Sequence, residues 1–363
     1  MSSQQVDVIQ SLPCYLDNET SPFGIANILF CGRLVRDRFN VLNQYSKVNW
    51  LDTVDPIPEP VETPIADLMD QRANELISKG SIGVQWSGGV DSTSLLLALI
   101  RNGIAKEDLE VLFDVNSCTE YPKLFTWLTE QGWNMHPVNT SWLQVLGKTD
   151  VDVITNGWCA DQLFGSVFFY QMPEKYLMSL DEFLDDLKFP GIQPNQEQKK
   201  FAIEVYKKYA KDYFGIDLNV AAELGWFINF VIKWSWVKAF NDCYLIRTKN
   251  SNKTQVFYNT DYFQSWALSN YHSIKEANIY GKNAAMYKRP LKEYCQTVFK
   301  DDDFLQNKSK KPSWNASQNR TMHNKTCIVL KTNNGYDVYD APAKFPYLKA
   351  QEFINEIFTR YSK

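Results

Sequence analysis

The run Ser81-Ile82-Gly83-Val84-Gln85-Trp86-Ser87-Gly88-Gly89-Val90-Asp91-Ser92-Thr93-Ser94-Leu95-Leu96-Leu97-Ala98-Leu99-Ile100 changes its period halfway along. Up to Trp86 it reads as a short buried strand, and from Ser92 to Ile100 as a helix, with a glycine turn between. Such a unit suits an anion. Gly88 and Gly89 let the backbone approach closely and take φ values that other residues resist. Ser87, Ser92 and Thr93 add hydroxyl donors, and the helix start aims free N–H groups and its positive dipole end at the turn. Asp91 would repel a polyphosphate unless it holds Mg2+, which takes one or two carboxylates together with phosphate oxygens. A plain Gly-Gly turn capped by Asp91 or Ser92 is the simpler alternative, but the complete motif from Ser87 through Val90 to Ser92 favours phosphate binding. The turn lacks the Gly-Lys-Ser/Thr of a Walker A loop.

Working outward, Ile65, Leu68, Met69, Ala73, Leu76 and Ile77 recur at helical spacing, with Gly80 as a stop. Residues 111–115, 134–138 and 151–155 read as strands, and 122–130 as a helix between two of them. Strands alternating with helices predict an α/β fold, a parallel sheet sandwiched by helices. Past Gln171 the pattern is mainly helical, over 180–187, 196–214, 221–240 and 262–268. Near the end, residues 326–331 and 336–339 flank Asn334-Gly335, a tight-turn signal for a hairpin. A helix with Phe353, Ile354, Ile357 and Phe358 on one face follows. At the other end, residues 25–30 form a short apolar run suited to a strand, and the repeated prolines of 55–60 suit a linker. The expected organisation is a small N-terminal segment (1–60), a central domain (62–325) and a C-terminal hairpin and helix (326–363).

Composition narrows the class. The chain has 363 residues, 44% of them apolar, and a net charge of −4, so an overall basic footprint for nucleic acid is absent. Nucleic acid is not indicated as a partner, although a local basic patch in the last third stays open. Eleven Trp, 19 Tyr and 22 Phe suit core packing better than a stacking surface. The seven cysteines are scattered without a CxxC pair, which disfavours both a zinc site and a disulfide framework. No signal peptide or membrane span is legible, and a cytoplasmic location is expected.

The Ser-Gly-Gly-Val-Asp-Ser loop resembles the pyrophosphate loop of the N-type ATP pyrophosphatases, which leave AMP on a substrate. A second segment, Asn156-Gly157-Trp158-Cys159-Ala160-Asp161-Gln162-Leu163-Phe164-Gly165, follows a predicted strand. It is similar to the Gly-Glu-Gly-Ala/Ser-Asp-Glu-Leu-Phe-Gly-Gly motif of the asparagine synthetase family, matching at Asp161, Phe164 and Gly165. The resemblance implies an adenine nucleotide alpha hydrolase-like fold that binds ATP and Mg2+, with Asp91 and Asp161 on the metal and Gly157 beside the nucleotide. It further implies adenylation of a small-molecule carboxylate, then acyl transfer to an amine or ammonia. Residues 256–268 look like the family's Val-Pro-Phe-Leu-Asp stretch and its helix. Residues 305–314 resemble its Arg-x-Lys-x-Gly-Phe loop, where Lys311 or Lys310 would meet the α-phosphate or pyrophosphate; a solvated basic turn is the alternative.

Three departures qualify that resemblance. Residues 1–60 are too few for the family's glutaminase domain, so ammonia from glutamine would need a separate supplying chain. Trp158 stands where the family has a catalytic Glu, and indole only donates a hydrogen bond; Cys159 stands at the next glycine. The Glu expected before the Val-Pro-Phe-Leu-Asp stretch is missing around Lys253-Thr254-Gln255. Trp158, with Asn156, either walls a substrate pocket or packs in the core. Cys159 reads as a small buried residue rather than a sulfur-transfer nucleophile. Two further functions stay open: adenylation of a nucleobase or nucleotide carbonyl followed by amination or thiolation, and nucleotide binding without catalysis.

Overall fold

A computed structural model describes residues 6–9, 59–138, 150–165, 177–186, 196–234, 237, 253–275, 288–308, 326–332 and 335–341. The run at 25–30, Lys310, Lys311 and the helix around Phe353 lie outside the described residues.

Contacts divide the chain into two units, 57–176 with 244–318, and 177–243 with both terminal segments. The first unit holds a five-stranded, all-parallel sheet flanked by helices. Its strands are β2 (Ile82–Gln85), β3 (Leu109–Phe113), β4 (Asn134–Pro137), β5 (Val153–Asn156) and β6 (Thr254–Val256), in the spatial order β4-β3-β2-β5-β6. The central strand is buried along its length, and Ile82 aligns with Leu109 on one side and Val153 on the other. Such burial on both faces is why Ile82-Gly83-Val84 shows no alternation. At the edge, β4 is mostly exposed and ends in Pro137, a residue sheets tolerate at an edge because it donates no ladder bond.

Around the sheet lie α1 (Ile65–Ile77), α2 (Val90–Arg101), α3 (Val115–Glu120), α4 (Pro122–Glu130) and α5 (Ala160–Leu163). Between Leu95 and Leu99, α2 is fully buried all round, since α1 and a later helix pack against it. The strand order then decides where a ligand meets this sheet. From β2 the chain builds outward through β3 and β4, then returns to the other side of β2 as β5. That reversal opens a crevice beyond the carboxyl ends of β2 and β5, the usual ligand position in parallel α/β sheets. The Ser87–Ser92 turn follows β2, and the Asn156–Asp161 segment closes β5, one on each side of the reversal.

The second unit is described only in part. Strands β1 (Val6–Ile9), β7 (Thr326–Thr332) and β8 (Gly335–Ala341) form an antiparallel sheet in the order β1-β7-β8. The expected hairpin is present, but Gly335 pairs with Thr332 inside the ladder, so the two connecting residues are 333 and 334. Helices α6 (Leu180–Asp186), α7 (Gln196–Phe214) and α8 (Ala221–Phe227) belong to the same unit, α8 running into a π-helix at Ile228–Lys233. Its core is aromatic, with Trp226 stacked on Phe230 at 4.9 Å and Tyr209 edge-on to Phe227 at 5.4 Å. No helix among the described residues is long and apolar enough to cross a membrane.

Candidate functional site

The turn after β2 is braced from within. Ser92 Oγ accepts from the Ser87 N–H at 3.0 Å, lies 2.9 Å from Ser87 Oγ and donates to the Gly89 carbonyl at 3.3 Å. Ser87 is exposed, whereas Ser92 is buried and serves the loop's shape. Thr93, expected to add a hydroxyl donor for the anion, is fully buried instead, and its Oγ1 accepts from the Trp86 indole at 3.0 Å. That correction follows from helical geometry: one residue beyond Ser92, the side chain points into the sheet.

Each glycine of the turn has its own reason. Gly88 has φ +74°, and a Cβ there would stand 2.6 Å from the Ser117 carbonyl oxygen of α3. Gly88→Ala is expected to destabilise the protein by about 2–5 kcal/mol, the sum of left-handed strain and overpacking against backbone; a thermal melt reads it directly. Gly89 takes an extended conformation (φ −77°, ψ 165°) as the residue that caps α2, leaving the first N–H groups of the helix facing the turn. Val90 opens α2 and is half-buried.

Across the crevice, the segment after β5 presses on this turn. A Cβ on Gly157 would lie 2.9 Å from the Asp91 carbonyl carbon, its Cβ and the Ser92 nitrogen. Asn156 is buried, and its Oδ1 accepts from the Trp158 N–H at 3.2 Å. Trp158 is half-buried, and Cys159 is buried with φ +70°. The backbone therefore keeps a glycine conformation at a position where the resembling motif has glycine, although a side chain is present.

Both aspartates converge on one atom. Asp161 Oδ1 lies 2.6 Å from Lys288 Nζ, and Asp91 Oδ1 forms a short ion pair with the same ammonium. The Lys288 side chain is only 3% exposed, against 25% for Asp91 and 22% for Asp161. Burial opposes its charge, but Asp161 and then Asp91 outweigh burial and hold it above the ordinary lysine value. After α9 (Asp261–Lys275) comes Lys288, which precedes α10 (Arg289–Val298), one of the helices packed on α2. Among the described residues, positive φ outside glycine occurs at Cys159 (70°) and Lys288 (54°), both beside the aspartate pair. Strain of about 1–3 kcal/mol per residue is kept where surrounding structure over-determines it, and it clusters at functional sites.

A second layer holds these residues in place. The Tyr258 hydroxyl lies 2.6 Å from Ser94 Oγ and donates to the Asp91 carbonyl at 3.3 Å, while the Phe257 N–H donates to the Asn156 carbonyl at 3.1 Å. The segment after β6 thus touches both motifs. Gln255, in the 253–255 stretch that lacks the resembling family's Glu, accepts from Lys79 at 2.7 Å. Lys308, the residue directly after α11 (Asp302–Asn307), pairs with Glu120, whose side chain abuts Gly88. Lys292 donates to the Lys308 carbonyl at 2.5 Å, and burial, with Arg289, Lys308 and Lys288 nearby, pushes its ammonium down to about 8. The chain therefore enters the segment carrying Lys310 and Lys311 from a residue held beside the glycine turn.

Lys288 carries no motif signal in the sequence. Its surroundings, Lys288-Arg289-Pro290, mark a helix start by proline in the first turn, which says nothing about what the ammonium faces. Among the described residues, no three His, Cys, Asp or Glu side chains come together as a metal cluster. A divalent ion at Asp91 and Asp161 would thus complete its shell with ligand oxygens, as Mg2+ does with phosphates. The donor set fits: two hard carboxylates already share one cation. A comparison with protein-family models and with curated proteins found no match to this chain.

Proposed function

We propose that this chain binds ATP across the carboxyl ends of β2 and β5 and splits it between the α and β phosphates. A carboxylate substrate becomes an acyl-adenylate, and an amine or ammonia displaces AMP to form an amide. The observation that carries this reading is the meeting of Asp91 and Asp161 at one cation, Lys288 Nζ, beside the glycine turn. Two carboxylates next to an anion loop are repulsive unless a cation joins them, and polyphosphate chemistry supplies that cation as Mg2+.

In this mechanism the turn's N–H groups and the start of α2 hold the β and γ phosphates. Asp91 and Asp161 hold the ion, which when bound neutralises charge on phosphate oxygens and on departing pyrophosphate. Lys288, with Lys310 or Lys311 from the adjoining segment, supplies further positive charge where the leaving pyrophosphate develops negative charge. Gly157 lets the β5 segment close on Asp91, and Tyr258 fixes the Asp91 backbone. Positioning and charge neutralisation, rather than proton transfer by Trp158, do the chemistry.

The test is nucleotide product analysis with purified protein, ATP labelled at the α-phosphate, Mg2+, and pooled carboxylates with amines. AMP and pyrophosphate in equal amounts, dependent on the acid, are the expected result; ADP as product overturns the reading. Trp158 in place of the resembling motif's Glu, and the lack of a Glu around Lys253-Thr254-Gln255, favour one other reading, nucleotide binding without turnover. It predicts saturable ATP binding and no AMP with any acceptor.

A further inference from the structure

We propose that the Lys288 ammonium holds the place of the divalent cation in the ligand-free protein, so that ion and polyphosphate enter this site as a coupled pair. The inference rests on the ATP reading above and adds to it a coupling between the two ligands. Lys288 Nζ is within ion-pair distance of both Asp91 Oδ1 and Asp161 Oδ1, the two atoms that would hold the ion. Its side chain is 3% exposed, and its backbone is fixed at φ 54° at the start of α10.

Consider each ligand arriving alone. For an ion to take the carboxylates, Lys288 must give up both of them inside the protein, where water does not replace them; a buried charge deprived of its partners is strongly unfavourable. For a polyphosphate to take the glycine turn, it must face two carboxylates balanced by one ammonium, a residual charge of the wrong sign. When both arrive, the carboxylates keep the ion and the ammonium gains phosphate oxygen, so every charge has a partner. Each ligand therefore strengthens the other, by the same factor in both directions.

Manganese titration of the full chain, by calorimetry and by the paramagnetic signal of free ion, tests this without any turnover. In the wild type, Mn2+ alone should bind weakly. In Lys288→Met the two carboxylates lose their resident cation, and Mn2+ alone should bind about tenfold tighter or more, within the usual range of site-to-site coupling. Its melting temperature should also rise with Mn2+ more than that of the wild type. Lys288→Gln, which keeps a donor for one carboxylate, should give the same tightening to a smaller degree and serves if Lys288→Met does not fold. Mn2+ affinity in these variants equal to or below the wild type would overturn the proposal.

Nucleotide binding is read separately, with an ATP analogue that resists cleavage between its α and β phosphates. A wild type that takes no analogue in saturating Mn2+ sinks the ATP reading. The variants' affinity for Mn2+ alone decides the role of Lys288, so the two failures are distinct.

Discussion

Asp161→Asn is expected to lower pyrophosphate release by about 10²–10³-fold, the usual loss when one preorganised electrostatic group is removed from a reacting centre. Asparagine keeps the size of the side chain and an oxygen for Lys288 at the position now 2.6 Å away, so the loop should keep its shape. The stability cost should stay below the roughly 3–5 kcal/mol of a fully broken buried pair, because Asp91 still holds the ammonium. Asp91→Asn should match it. Since both carboxylates serve one cation, the double variant should be little worse than the more damaging single one. A coupled pyrophosphate assay and a thermal melt check all three. Full activity in either single variant removes the metal assignment.

Gly157→Ala should be nearly as damaging, for a steric reason. The new methyl group meets the Asp91 carbonyl carbon, its Cβ and the Ser92 nitrogen, each at 2.9 Å. These are mostly backbone atoms near the start of α2, and they have no rotamer through which to escape. Overpacking of this kind costs about 1–3 kcal/mol. Relief requires the two strand ends to part, which moves Asp91 from Asp161, and a displacement of about 1 Å at a reacting centre can cost 10²-fold in rate. The expected outcome is a lower melting temperature together with a turnover loss near 100-fold. Gly103→Ala is the contrasting control: its φ of +80° is strained, but nothing lies within 4 Å of the new methyl. It should lose stability and keep turnover.

Much of the fold was legible because its signals are local. The helix at Pro122–Glu130 and the one at Gln196–Phe214 have the bounds their periodicity predicts, since caps and apolar spacing act within a few residues. The central strand and its glycine turn were equally plain. By contrast, Val6–Ile9 is too short to carry a pattern, and its partner Cys327–Leu330 lies at the far end of the chain. Thr93 was misjudged because a hydroxyl in a motif says nothing about the face it occupies.

The site divides the same way. Taken alone, the amino-acid sequence determined the two motifs, the aspartate in each, and the glycines on which close approach depends, because residue type and spacing encode local backbone geometry. Only the tertiary structure decided that β5 returns beside β2, that Gly157 abuts Asp91, and that Lys288, 197 positions from Asp91, becomes the cation both aspartates share. Sheet order and charge pairing over such separations leave no period in the chain; they arise when burial forces distant carboxylates and an ammonium into one poorly solvated space, where each must find its opposite.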